Sequence, residues 1–266
     1  MRTGLKTDFF APSGPRLIAH RGGGGVRPEN TLEAFAAAYR ERIRYFELDI
    51  HTSRDGALMV CHDDDLRRTT DLSGLIRELT YAQIARGDAG YRFEVEGEFP
   101  FRGAGIRVPR LIDVLGLFDD AFFVIEIKQV EPSLTTALNQ ALSATATRQR
   151  VLIASEYQRP LDQMRALAPE LPTSFSGREV MGFFAALIGQ MSDYRIPADA
   201  LQIPPAHDSM LLATAASVSA AHALGLEMHT WTINEEAEMR HLLELGVDGI
   251  ITDYPARLRA LLAPRR

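Results

Sequence analysis

A chain of 266 residues, 46% hydrophobic and 24% charged, is long enough to bury one large core and too polar to live inside a bilayer. Its net charge of −6, with Lys and Arg scattered along the chain, argues against nucleic acid or an anionic membrane as the main partner and for a small ligand. The single cysteine, Cys61, excludes an intramolecular disulfide; residues 1–15 lack the apolar core of a secretory signal, and the apolar run 181–191 is too short to cross a bilayer and reads as a buried helix, so the expectation is one cytoplasmic domain over 1–266 with no transmembrane segment.

Short apolar runs alternate with helical patterns, the signature of βα units around a parallel sheet. The first run, 16–20, ends in His20-Arg21 and is followed by four glycines, Gly22 to Gly25, and a helix start at Thr31. Glycines let backbone N–H groups approach an anion and a following helix offers its positive end, so this junction is expected to hold a phosphate beside Arg21. Asn30 is placed to cap a helix over 31–42, with Glu33 as its third residue. Glu29 either pairs with Arg21 or starts that helix.

The second run, 45–50, is followed by "HTSRDGALMVCHD", too short for a parallel crossover, so the next run returns antiparallel. Asp55-Gly56 reads as a two-residue turn pairing Arg54 with Ala57, a register that sets His62 opposite Asp49 on the same face. Residues 51–108 form this hairpin and an inserted excursion over the mouth of the fold, where substrate selection belongs. Further runs at 122–128, 151–155, 172–175, 200–203, 227–231 and 249–252 complete eight strands. Helices are expected at 111–118, 134–144, 161–168, 180–190, 212–224, 235–245 (capped by Asn234) and 255–262. Eight strands and eight helices in this length predict an α/β (β/α)8 TIM barrel with an inserted hairpin and loop segment after strand 2.

Alternate strand residues share a face, so Glu47, Asp49 and His51 point one way and Phe46, Leu48 and Ile50 the other. The apolar set faces the helices, and the acidic set lines the mouth where barrel enzymes carry their sites. In "FFVIEIKQ" the same alternation turns Val124, Glu126 and Lys128 inward. Three carboxylates crowded in a low-dielectric mouth repel one another unless a cation holds them, and all-oxygen ligation favours Mg²⁺ or Ca²⁺ over Zn²⁺. A lone acid at a strand end is more often a capping or pairing group, and a lone His20 more often a satisfied core histidine. Convergence of Glu47, Asp49 and Glu126 with His20, Arg21 and His62 is what favours a site.

The chain resembles the glycerophosphodiester phosphodiesterases over nearly its whole length. The matching pieces are "HRG" at 20–22, "PENT" at 28–31, "ELDIHTSRDG" at 47–56, "CHD" at 61–63, "VPRL" at 108–111, "EIK" at 126–128, "WTIN" at 231–234 and "GIITDYP" at 249–255. The resemblance implies a (β/α)8 barrel that hydrolyses glycerophosphodiesters to sn-glycerol 3-phosphate and an alcohol. It implies Glu47, Asp49 and Glu126 as ligands of a divalent cation, His20 and His62 as the acid–base pair, and Arg21 and Lys128 as phosphate contacts. Trp231 is implied as an aromatic pocket wall, with core packing as the competing reading. Glu156 in "ASEY" stands where the family usually has phenylalanine, which leaves the alcohol group open.

Three other functions compete. One is a lysophospholipase D-type activity, for which Phe93, Phe99 and Phe101 either form an apolar lip or simply pack the insertion. A non-catalytic phosphate-binding barrel has no need of paired histidines. A metal-dependent sugar-phosphate isomerase or aldolase would not require His20 beside Arg21. Finally, a glycerol substrate carries its own hydroxyl beside the ester, so attack by that hydroxyl through a cyclic phosphate is expected.

Overall fold

A computed structural model describes residues 7–189 and 194–263. Its strands are β1 (Arg16–Ala19), β2 (Tyr45–Thr52), β3 (Leu58–Val60), β4 (Phe122–Ile127), β5 (Val151–Ala154), β6 (Ala200–Ile203), the small hairpin β7 (Ala206–His207) and β8 (Met210–Leu211), then β9 (Glu227–Thr230) and β10 (Gly249–Thr252). Seven of them form a parallel path in the order β5-β4-β2-β1-β10-β9-β6, and β3 pairs antiparallel with β2. The run expected at 172–175 is reduced to two bridging residues. Thr173 bridges Ile153 and Ser174 bridges Ala200, with Ser174 N–H donating to the Ile153 carbonyl at 2.8 Å and Phe175 N–H to the Ala200 carbonyl at 3.1 Å. These contacts join β5 to β6 and close the ring.

Around it lie α1 (Leu32–Arg40), α2 (Tyr81–Ile84), α3 (Leu111–Leu117), α4 (Thr135–Ala144), α5 (Gln158–Leu167), α6 (Gly177–Ile188), α7 (Ala215–Ala223), α8 (Glu236–Leu245) and α9 (Pro255–Leu262). Strand alternation divides the core as expected. Phe46, Leu48, Ile50, Phe123 and Ile125 pack outward with Phe35, Val114 and Leu138 of the helices and with Phe118 just after α3. Inside the ring, Ile18, Tyr45, Val124, Leu152, Ala200 and Ile251 fill the floor. Phe9, on a short turn over Asp8–Phe10, plugs that floor: its ring is fully buried, 5.3 Å from that of Tyr45, whose hydroxyl donates to the Phe9 carbonyl at 2.8 Å. Nothing in the local sequence announced this plug.

Both expected asparagine caps are replaced. Thr31 caps α1, its Oγ1 accepting from Ala34 N–H at 3.2 Å, while Asn30, at φ 57°, turns its side chain into the barrel. The N-cap of α8 is Glu235, without a side-chain bond, because Asn234 is engaged elsewhere. Nor is the run 181–191 a buried helix. It belongs to amphipathic α6, which starts early because Ser176 and Glu179 form a capping box; Phe183 and Phe184 are buried while Met181 and Ile188 are exposed, and positions 190 and 191 lie outside the described residues. No described helix is long and apolar enough to cross a membrane.

The hairpin register also differs by one residue. Ser53 N–H donates to the Ala57 carbonyl at 2.8 Å, so the loop has three residues, closed by Gly56 at φ 85°. A left-handed glycine in the third loop position is what a three-residue hairpin requires. His51 therefore faces Met59, and the residue whose N–H reaches the Asp49 carbonyl, at 3.0 Å, is Cys61 and not His62. The insertion carries its own small core of Met59, Leu66, Ile76, Ile84, Ile106 and Val108. Phe93 and Phe101 meet edge to face at 5.4 Å, Phe101 packs against that core, and Arg102 covers Phe99 at 3.8 Å, while all three rings stay half-buried.

Candidate active site

The chain leaves β1 through the tight turn His20–Gly22, with Arg21 at φ 52°. The glycines that follow do not offer their amides to an anion. Gly23 and Gly24 N–H groups donate to the His20 carbonyl at 2.8 and 3.1 Å, and Gly25 N–H to the Asp253 carbonyl at 3.2 Å. What needs glycine is close approach: a Cβ on Gly25 would lie 2.6 Å from the Tyr254 ring, and one on Gly22 2.9 Å from Phe35. The loop thus lies flat against α1 and the turn before α9, which holds His20 and Arg21 at the mouth.

Parallel pairing of β2 with β4 sets Asp49 beside Glu126. Glu47, Asp49 and Glu126 each offer an oxygen within 4.8 Å of the others. Asn30 Nδ2 donates to Asp49 Oδ2 at 2.9 Å, Arg21 N–H to Glu47 Oε2 at 3.0 Å, and Lys128 Nζ to Glu126 Oε1 at 3.1 Å. Burial, and then the charge of Asp49, push Glu47 up to about 8; the same two causes raise Glu126, against the pull of Lys128. Such repulsion among buried oxygens is what a hard divalent cation relieves, so the donor set fits Mg²⁺ or Ca²⁺. Arg21 Nε is buried 3.3 Å from Asp49 Oδ2, an ion pair without hydrogen-bond geometry.

Each candidate histidine is held by an aspartate. His20 Nδ1 lies 2.7 Å from Asp253 Oδ1, and its Nε2 3.8 Å from Glu47 Oε2. Burial alone would lower His20, but the hydrogen bond to Asp253 and the charge of Glu47 hold it above the usual histidine value. His62 Nδ1 lies 2.7 Å from Asp63 Oδ1. His62 lies on the loop after β3, whose backbone is fastened by His51 Nε2 donating to the His62 carbonyl at 3.0 Å.

Beside the carboxylates opens a cavity of about 270 Å³ lined by His51, Asp64, Arg77, Lys128, Glu131 and Tyr157. Trp231 does not line it; the indole stands 44% exposed after β9, which also excludes core packing. Glu29 pairs with Arg21 at 2.9 Å. Sequence reasoning missed Asp63, Asp253, Asn234 and Arg68. The two aspartates sit inside quoted motifs, "CHD" and "GIITDYP", where an acid next to a strand end was the available signal.

Residues 20–257 match the model of the glycerophosphoryl diester phosphodiesterase family. A glycerophosphodiester phosphodiesterase of Bacillus altitudinis is 32% identical over 252 residues, covering 91% of this chain and 96% of the relative. A human lysophospholipase D is 26% identical over 271 residues, covering 92% and 85%. Among solved structures, an Oleispira antarctica phosphodiesterase in complex with the product sn-glycerol-3-phosphate superposes with a TM-score of 0.74 at 26% identity, covering 93% of this chain and 96% of that one.

Proposed function

Because the chain belongs to the glycerophosphoryl diester phosphodiesterase family, we propose that it hydrolyses glycerophosphodiesters such as glycerophosphocholine to sn-glycerol 3-phosphate and the free alcohol. The observation that carries this reading is the cluster of Glu47, Asp49 and Glu126 flanked by two aspartate-held histidines and two cationic side chains. A phosphodiester resists hydrolysis because its charge repels nucleophiles and its alkoxide leaves badly. A divalent cation on the three carboxylates, Mg²⁺ or Ca²⁺, supplies Lewis acidity toward a phosphoryl oxygen. Arg21 and Lys128 hold the remaining phosphoryl charge. Both histidines turn Nδ1 to an aspartate, which leaves Nε2 as the atom that exchanges protons. One takes the nucleophile's proton and the other protonates the departing alkoxide.

The test is release of glycerol 3-phosphate from a panel of glycerophosphodiesters, with and without a chelator. Release that is abolished by exhaustive chelation and restored by Mg²⁺ or Ca²⁺ supports the reading. Absence of release from every diester with metal supplied overturns the activity, and full turnover by metal-free protein overturns the role of the carboxylates. A second reading, hydrolysis of lysophospholipids, has one observation in its favour. Met210 and Leu211 of the hairpin after β6, and Trp231 after its neighbour β9, expose apolar surface. Lysophosphatidylcholine in the same panel decides it.

A further inference from the structure

Arg68 lies on a short turn, Leu66–Arg68, of the insertion, outside every motif that pointed to the site. Its guanidinium grips two carboxylates at once. Nε donates to Asp63 Oδ2 at 2.6 Å and Nη2 to Asp63 Oδ1 at 3.2 Å, while Nη1 and Nη2 donate to Glu29 Oε2 and Oε1 at 2.8 and 2.7 Å. Each carboxylate holds one residue of the proposed site: Asp63 Oδ1 meets His62 Nδ1 at 2.7 Å, and Glu29 Oε1 accepts from Arg21 Nη1 at 2.9 Å.

We propose that Arg68 is a positioning residue for the reaction, fixing Asp63 so that His62 presents Nε2 to the substrate and fixing Glu29 so that Arg21 stays aimed at the phosphate. The inference rests on the reading of His62 as one of the acid–base pair. The reason lies in the geometry of the neighbour. Asp63 is adjacent to His62 in the chain and partly open to water, so on its own it is free to change rotamer and solvate both oxygens. A planar fork that occupies both carboxylate oxygens removes that freedom, which a point charge such as lysine does less well. The Asp63 carboxyl, which burial alone would raise, is held down at about 2 by its bonds from Arg68 and His62, so it stays an ionised acceptor for Nδ1–H throughout the neutral range. His20 has the same arrangement with a neutral clamp, since Asn234 Nδ2 donates to Asp253 Oδ2 at 2.8 Å. Two histidines held by two aspartates, each aspartate held in turn by a third side chain, is the pattern by which a base is kept in one tautomer.

The experiment compares glycerophosphocholine hydrolysis by wild type, Asp63→Asn, Arg68→Ala, His62→Ala and the His62→Ala/Arg68→Ala double variant, with thermal melts to check folding. Asp63→Asn alters the histidine arm while leaving the bonds from Arg68 to Glu29 in place, and is expected to lower kcat about tenfold or more with KM nearly unchanged. Arg68→Ala is expected to lower kcat similarly and also to raise KM through the Glu29–Arg21 arm. In the His62→Ala background, removal of Arg68 should change kcat by less than about twofold, because the group it acts through is gone. An equal kcat loss from Arg68→Ala in both backgrounds means a merely structural residue and overturns the proposal, as does wild-type kcat in Asp63→Asn. Wild-type kcat in His62→Ala overturns the acid–base reading itself, and is told apart by that single variant. If Arg68→Ala does not fold, Arg68→Lys takes its place in both backgrounds with the same outcomes.

Discussion

Asp253→Asn changes one atom and removes one charge, and the hydrogen bonds around it make that change decisive. Two donors converge on the carboxylate: His20 Nδ1–H on Oδ1 at 2.7 Å and Asn234 Nδ2–H on Oδ2 at 2.8 Å. Asn234 cannot turn over, because its own Oδ1 accepts the Asp253 N–H at 3.0 Å and the Thr252 hydroxyl at 3.2 Å. An amide at 253 must therefore give its oxygen to Asn234 and its NH₂ to His20. Nδ1 then has to accept, the ring carries its proton on Nε2, and the atom that faces Glu47 loses its lone pair. A wrong tautomer forfeits the general-base contribution, about 10²- to 10⁴-fold in kcat, or roughly 3–5 kcal/mol at 1.36 kcal/mol per tenfold. Binding should change little, since His20 is not a phosphate contact in the proposed mechanism. The assay is glycerol 3-phosphate release under saturating glycerophosphocholine, with the melting temperature as a control for folding. Adding Asn234→Ala frees the new amide to turn its oxygen toward His20 and should recover part of the loss. A kcat within about threefold of wild type in a folded Asp253→Asn protein would refute the tautomer argument.

Phe9→Ala empties the barrel floor and is expected to cost about 3–5 kcal/mol, lowering the melting temperature by roughly 2–4 °C per kcal/mol while kcat stays near wild type, because the plug is at the opposite end from the site. Gly25→Ala drives a Cβ to 2.6 Å from the Tyr254 ring. Overpacking of this kind costs about 1–3 kcal/mol, and the displaced loop carries Arg21, so both melting temperature and kcat should fall; wild-type values for both would mean that the ring yields freely. Replacing the glycerol C2 hydroxyl of the substrate by hydrogen should cut kcat far more than it raises KM, because an intramolecular nucleophile is lost. An unchanged kcat with that substrate favours direct attack by water.

The alternation of β2 and β4 was legible from the chain alone, and with it the convergence of Glu47, Asp49, Glu126 and Lys128. Backbone geometry sends successive strand residues to opposite faces, so once Phe46, Leu48 and Ile50 are assigned to the helices the acids have nowhere to go but the mouth. The order of strands and helices, hence the barrel, followed from the same local periodicities. Only the tertiary structure decided how the site is finished. His20 and Asp253 are 233 positions apart, and Arg68 and Glu29 are 39 apart; no local pattern reports which acid will meet which base when the last strand returns beside the first. The glycines after Arg21 were legible as a loop, but their amides are spent on the His20 and Asp253 carbonyls, and that depends on where the β10–α9 turn comes to rest. Asn30 and Asn234 carry the right side chain for helix caps, yet each is drawn inward because a carboxylate, the buried Asp49 or the half-buried Asp253, accepts from its amide. A local propensity of about 1 kcal/mol yields where folding brings a carboxylate acceptor within reach.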